Sequence, residues 1–299
     1  MKTTLLSLLV LGLLSCNRLE QEVRPVALIS QPAKLTVVCF IAPQDTILTA
    51  KVTVTRPILS ADSKSTEVTN ATVRLAEGSR TVTFTYDLKN KYYSVRASQF
   101  PIEAGKTYTL TVTTPDGKKA VGTCAVPRPV PLAGIQFDSL TTSWPSQGKR
   151  YFMRLRWQDP AGQKNYYRPS GLFSSVSAQT PGVSAVQPLS FEGEFNGKLL
   201  ISDQDQDGNL LDSGRGYLDG GKATTAPSQT FGRLYRTASV AVSLLHLDPN
   251  YYAYHESVQR QDATDGNPFA EPVLITTNIV GGIGCFGAYN RSVVVLKLR

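Results

Sequence analysis

The chain has 299 residues, 41% of them hydrophobic, and a formal net charge of +8. So much apolar side chain can bury a sizeable core, which excludes wholesale disorder, and the length suits one large domain or two ordinary ones. The basic residues are scattered and form no run of five or six, which argues against a nucleic-acid arm, and a core of this size needs no disulfide framework from the four cysteines.

At the N-terminus, Lys2 precedes the apolar run Leu5 to Leu14, and Leu13-Leu14-Ser15-Cys16 closes it in the pattern of a lipobox. The run is too short for a bilayer-spanning helix, which needs about 20 residues. Residues 1–15 are therefore predicted to be a lipoprotein signal peptide, with Cys16 acylated and heading the mature chain. Each buried methylene of an acyl chain contributes about 0.8 kcal/mol, so two or three chains anchor the protein firmly to a membrane. The polar stretch 16–33, with Pro25 and Pro32, reads as a tether.

From residue 34 the chain alternates with period two. Val82, Phe84 and Tyr86 alternate with threonines, as do Tyr108, Leu110 and Val112. Threonine on the wet face marks half-buried antiparallel strands. Turn signals separate them, including Ala104-Gly105-Lys106 and Pro115-Asp116-Gly117. About seven strands over 34–126 predict an immunoglobulin-like or transthyretin-like β-sandwich. Pro127, Pro129 and Pro131 block ladder pairing, so 127–134 is predicted to be a linker. Residues 135–299 read as a second, less regular β-rich domain. Its strands include Tyr151–Trp157, Ser239–Leu247 and Ser292–Leu298, with long loops expected over 160–235. One helix is predicted over Pro249–Gln261, with Asp248 as N-cap and Pro249 at the first helical position. The fold class is thus mainly β.

Few constellations could carry chemistry. Asp203, Asp205 and Asp207 followed by Gly208 copy the start of a calcium-binding loop, with Asp212 as a substitute for the glutamate that such a loop needs at its end. The other reading is a solvated acidic turn with no cofactor. Gly282, Gly284 and Gly287 match G-x-G-x-x-G, but a strand follows where a dinucleotide site needs a helix, so they mark close backbone approach. His246 and His255 are the available imidazoles, and Glu192 and Glu194 form an acidic pair of the residue type that glycosidases use. No nucleophile elbow or zinc-protease motif is present, and an enzyme is not expected. Cys39 and Cys124 lie in the first and last strand-like runs of the first domain. An exported protein can keep a bridge between them; two buried free thiols are the alternative. Cys285, among glycines, reads as core filling.

The chain resembles the Bacteroidota lipoproteins grouped as domain of unknown function 4249. The resemblance rests on the lipobox, the run Val68-Thr69-Asn70-Ala71-Thr72-Val73-Arg74-Leu75, and Ile102 to Leu110 with Gly105 and Tyr108. Further matches are Asn165-Tyr166-Tyr167 and, most specifically, Asn267-Pro268-Phe269-Ala270-Glu271-Pro272, continuing through Asn278 to Gly287. It implies an outer-membrane lipoprotein, on the periplasmic or surface face, that acts as a non-enzymatic accessory or ligand-capture partner of a TonB-dependent receptor in nutrient uptake. It transfers no catalytic residues. Asn267, Pro268, Phe269, Glu271 and Asn278 are candidates for an interaction surface; structural turns are the alternative. A structural or adhesive envelope protein is the second expectation for function, and an extracytoplasmic glycan hydrolase the third.

Overall fold

Seven strands fill the first half: β1 (Leu35–Ile41), β2 (Ile47–Val54), β3 (Thr72–Glu77), β4 (Arg80–Asp87), β5 (Tyr92–Arg96), β6 (Thr107–Thr113) and β7 (Lys119–Ala125). The second half contributes β8 (Leu132–Thr142), β9 (Gly148–Gln158), β10 (Tyr166–Ser177), β11 (Ser184–Pro188), β12 (Ser190–Phe191), β13 (Ile201–Ser202), β14 (Leu210–Asp212) and β15 (Gly216–Tyr217). It continues with a single-turn helix α1 (Phe231–Leu234), β16 (Tyr235–Leu247), helix α2 (Pro249–Thr264) and β17 (Gly282–Lys297). This computed structural model describes residues 33–56, 65–142, 148–180, 182–218, 231–264, 267, 269–271 and 273–299. The signal peptide, Cys16 and the tether up to residue 32 lie outside the described residues.

A 12-stranded sheet runs in the order β11-β10-β16-β17-β1-β2-β5-β4-β3-β6-β7, with β13 beside β10. The alternation in the sequence is visible in it. Leu35, Val37, Cys39 and Ile41 are buried while the residues between them are only partly covered. Tyr108, Leu110 and Val112 face the same core from β6. Each such side chain contributes about 1.5–3 kcal/mol on full burial. The strands of 34–126 do not complete this core alone. β17 returns to pair in parallel with β1, Leu35 opposite Gly282 through Ile41 opposite Ala288, and adds Phe286 and Ala288 to the cluster. Beyond residue 288 the same strand pairs antiparallel with β16. One strand therefore serves both halves.

The second half packs β10 and β16 against a five-stranded sheet, β12-β15-β9-β14 with β8 beside β9. Met153, Leu155 and Trp157 of β9 point inward and are fully buried, as their spacing predicts. The expected loops over 160–235 give way to strands, above all β10. Its Pro169 and Gly171 hide it from a propensity reading. Pro169 pairs only with Leu244 of β16, in a stretch where β13 has ended and β11 has not begun. A missing N–H is harmless on that open side. Gly171 is required by packing, since a Cβ there would stand 2.6 Å from Leu189 Cδ1.

The proline segment is strapped to the sheet. Asn290 Nδ2 donates to Pro127 O at 2.9 Å, His246 Nδ1 lies 2.7 Å from Arg128 O, and Val130 is buried. The three described cysteines are free and buried, so the Cys39–Cys124 bridge is absent. The reason is topological. β17 runs between β1 and β7, with Phe286 paired to Cys39 on one side and packed against Gly122 on the other.

The helix runs to Thr264, longer than the pattern suggests, and Asp248 caps it. Its Oδ1 accepts from Asn250 N at 2.5 Å and Tyr251 N at 3.0 Å. Tyr251, His255 and Ser257 are its buried residues, and Tyr251 meets Phe40 of β1 edge-on at 4.8 Å.

Candidate functional site

The acidic turn is built by strand pairing. Tyr166 and Tyr167 of β10 pair with Ser202 and Ile201, which brings Asp203 beside Asn165. Asp203 Oδ2 accepts from Asn165 N at 2.7 Å. Asp159, at the end of β9, accepts from Gly208 N at 2.9 Å through Oδ2 and from Tyr167 Oη at 2.5 Å through Oδ1. Asp207 accepts from Gly162 N at 2.9 Å. Carboxylate oxygens of Asp159, Asp203 and Asp207 thereby come within 4.8 Å of one another, the first two buried and the third exposed.

This differs from the set expected from the sequence. Asp205 sits at φ 63 and lies outside the group. Asp212 is in β14, where it accepts from Arg156 Nε at 3.0 Å and Gly214 N at 2.8 Å. Asp159 was missed because nothing local ties Trp157-Gln158-Asp159-Pro160 to a turn far downstream. Hard oxygen donors at this spacing suit a divalent cation such as calcium. The same oxygens already serve loop N–H groups and the Tyr167 hydroxyl, so the knot closes its three loops with or without one.

Among the described residues, the other titratable groups do not assemble into a catalytic set. His246 is buried between Arg128 O and Asn165 Oδ1, the latter 3.0 Å from Nε2, and burial lowers its pKa. His255 lies on α2, stacked on Phe40. Glu192 accepts from Tyr217 Oη at 2.7 Å and Arg215 Nη1 at 3.1 Å. Glu194 accepts from Ser190 Oγ at 2.8 Å and Phe191 N at 2.9 Å. Both glutamates shape their own turn. Burial pushes the thiols of Cys39, Cys124 and Cys285 far above the ordinary range, so none is a thiolate nucleophile.

The segment before β17 separates into two kinds of residue. Asn267 makes a turn, its Oδ1 accepting from Phe269 N at 3.1 Å. Phe269 is 93% exposed and Leu274 90%, and Glu271 is exposed as well. Asn278 instead turns inward. Its Nδ2 donates to Thr123 O at 3.0 Å and Phe286 O at 2.7 Å, and its Oδ1 accepts from Phe286 N at 2.9 Å. It is a bracket between β7 and β17 and leaves the proposed surface. Pro268 lies outside the described residues. Gly282 and Gly284 mark close approach, as expected: a Cβ on Gly282 would meet Leu35 O at 2.6 Å. Asn278→Ala should cost about 2–3 kcal/mol, because it strips three partners from partly buried backbone groups; urea unfolding of the variant measures it.

The family described as "Domain of unknown function (DUF4249)" matches residues 22–293. The chain belongs to DUF4249. The match begins ahead of the described residues and ends within β17, so it spans both cores and the strand that joins them. No curated protein matches the chain. Among solved structures it is similar to one described as "Biofilm associated protein - BSP domain", at 5% identity and a TM-score of 0.20. That likeness covers 88% of this chain and 59% of the other, and at such a score it bears on neither fold nor function. Neither comparison points this DUF4249 chain toward an enzymatic family.

Proposed function

We propose that this DUF4249 protein is a non-enzymatic lipoprotein, anchored through acylated Cys16 in the outer membrane, that docks on a TonB-dependent receptor as an accessory or ligand-capture subunit. The observation that carries the reading is the pair Phe269 and Leu274. These are large apolar side chains held in solvent on a loop whose ends are tied down by α2 and by the Asn278 bracket. Exposed large apolar side chains are typical anchors for a partner. The lipobox Leu13-Leu14-Ser15-Cys16 supports the membrane anchor. The histidines lie apart, His246 bonded to Arg128 O and Asn165 Oδ1 and His255 packed between aromatic rings, and the glutamates are tied to their own turn, which argues for binding over catalysis.

A C-terminally tagged chain, solubilised from native membranes in mild detergent, is expected to bring down a β-barrel receptor in stoichiometric amount. Phe269→Asp and Leu274→Asp should each abolish that recovery while shifting the melting temperature by no more than about 2 °C, as exposed side chains do. Recovery of the lipoprotein alone from wild-type membranes would reject the receptor reading in favour of a structural or adhesive role.

A further inference from the structure

On the outer face of the long sheet, α2 and the loop before β13 gather three bases with no carboxylate in contact among the described residues. Arg168 stands on β10 opposite Leu245 and donates through Nη1 to Tyr251 Oη at 3.0 Å. Its Nε is buried without an acceptor, and the side chain makes no ion pair among the described residues. Lys198 is half-buried, and its carbonyl accepts from Gln259 Nε2 of α2 at 3.0 Å, which fixes it beside the helix. The acid that acts on it, Asp262, is already bonded to Asn196 Nδ2 at 2.7 Å and makes no ion pair with it. His255, one turn after Tyr251, is buried between the rings of Phe40 and Tyr251, at 5.1 and 4.4 Å. It has no hydrogen bond to any described residue.

These groups share one positive field. Burial, and then Lys198 and Arg168, bring the His255 imidazole down to about 3. Burial and Arg168 likewise hold the Lys198 ammonium below its ordinary range. Partly desolvated cations without a counter-ion are costly, and proteins normally supply one. A planar guanidinium beside a point-charge ammonium and a phenol is a donor set suited to an oxyanion.

We propose that Arg168, Lys198 and Tyr251 form a binding site for the oxyanion group of a ligand, a phosphate or carboxylate, between β10 and α2. His255 is the reporter beside it, because a bound negative charge raises its pKa. The assignment does not depend on the receptor reading above.

The test uses the full-length lipidated protein in neutral detergent. Inorganic phosphate and acetate are titrated separately against chloride at matched ionic strength, with the imidazole NMR signals of His255 followed. Those signals are assigned by their loss in His255→Gln. A saturable shift with phosphate or acetate, and a rise in the His255 pKa, are expected. Arg168→Gln and Lys198→Gln should each weaken binding at least about tenfold, with an unchanged or higher melting temperature because they relieve repulsion. Nanodiscs containing phosphatidylglycerol, compared with phosphatidylcholine alone, separate the sources. Competition with the titrated anion identifies a lipid headgroup as the source, and indifference identifies a free anion; the site stands in either case. The proposal is overturned if a folded wild-type protein shows no saturable shift with phosphate, acetate or the anionic discs. It is also overturned if chloride reproduces the shift, or if the two variants titrate like wild type.

Discussion

Gly284→Ala is expected to abolish the native fold. Gly284 has φ 112, a conformation that L side chains rarely adopt, and a Cβ there would sit 2.1 Å from Val37 O. That carbonyl belongs to β1, the partner of β17 in the parallel pairing, so relief requires the two strands to part. The pairing positions Phe286 in the first core, and the loss should exceed about 4 kcal/mol. Gly78→Ala is the control. It has φ 56 and nothing within 4 Å of the added Cβ, so only the left-handed backbone penalty of about 1–2 kcal/mol applies. Urea unfolding and soluble yield should separate the two variants; similar stabilities would mean that β1 and β17 can part at this point without loss of the fold.

The second large effect belongs to Asp248. One carboxylate caps α2 through Asn250 N and Tyr251 N and ties the helix to β17 through Ala288 N at 2.5 Å. Asp248→Ala removes an N-cap, worth about 1 kcal/mol, and leaves a buried N–H without a partner, at about 1–3 kcal/mol more. A loss of about 2–4 kcal/mol at neutral pH is therefore expected. It should also depend on pH in a definite sense. Burial raises the carboxyl to about 6 despite its three N–H donors. With the folded pKa above the unfolded one, near 3.9, the group's contribution is greatest below about pH 4. The proton-linked part of it is lost as pH rises through about 6, and the hydrogen bonds of the carboxylate remain. Wild type should thus lead Asp248→Ala by most in mild acid, and the lead should shrink by up to about 3 kcal/mol on the way to pH 7. His255, whose depressed pKa weakens the protein as pH falls below about 6.5, is present in both chains and cancels in the difference. Unfolding curves of both proteins from pH 4 to 7 measure the effect.

The elements that were legible in the sequence are those whose signal is local. Threonine alternation exposes β4 and β6, the Asp248-Pro249 pair announces α2, and Tyr151–Trp157 shows its inward face. β10 was hidden because Pro169 and Gly171 are poor strand residues whose tolerance depends on absent or close neighbours. The parallel return of β17 was hidden for a different reason. Val293 to Val295 read as a strand, but nothing in those residues names β1 as the partner. The acidic knot was half legible. Asp203 and Asp207 come from a recognisable turn, whereas Asp159 joins them through a bond to Gly208 N across 49 residues. Asn278 was misread because an asparagine beside a turn looks the same whether its amide faces solvent or three backbone groups.

The return of β17 also governs when the protein can fold. Gln44, just after β1, bonds to Asn290 across 246 residues, and the first core lacks Phe286 and Ala288 until that contact forms. Closing so long a loop is slow, and a chain made from its N-terminus leaves β1 waiting for almost the whole of synthesis. Until then the edge of β1 that β17 will cover is open to mispairing with other chains. Loss of even its last twenty residues would leave the first core as incomplete as the second.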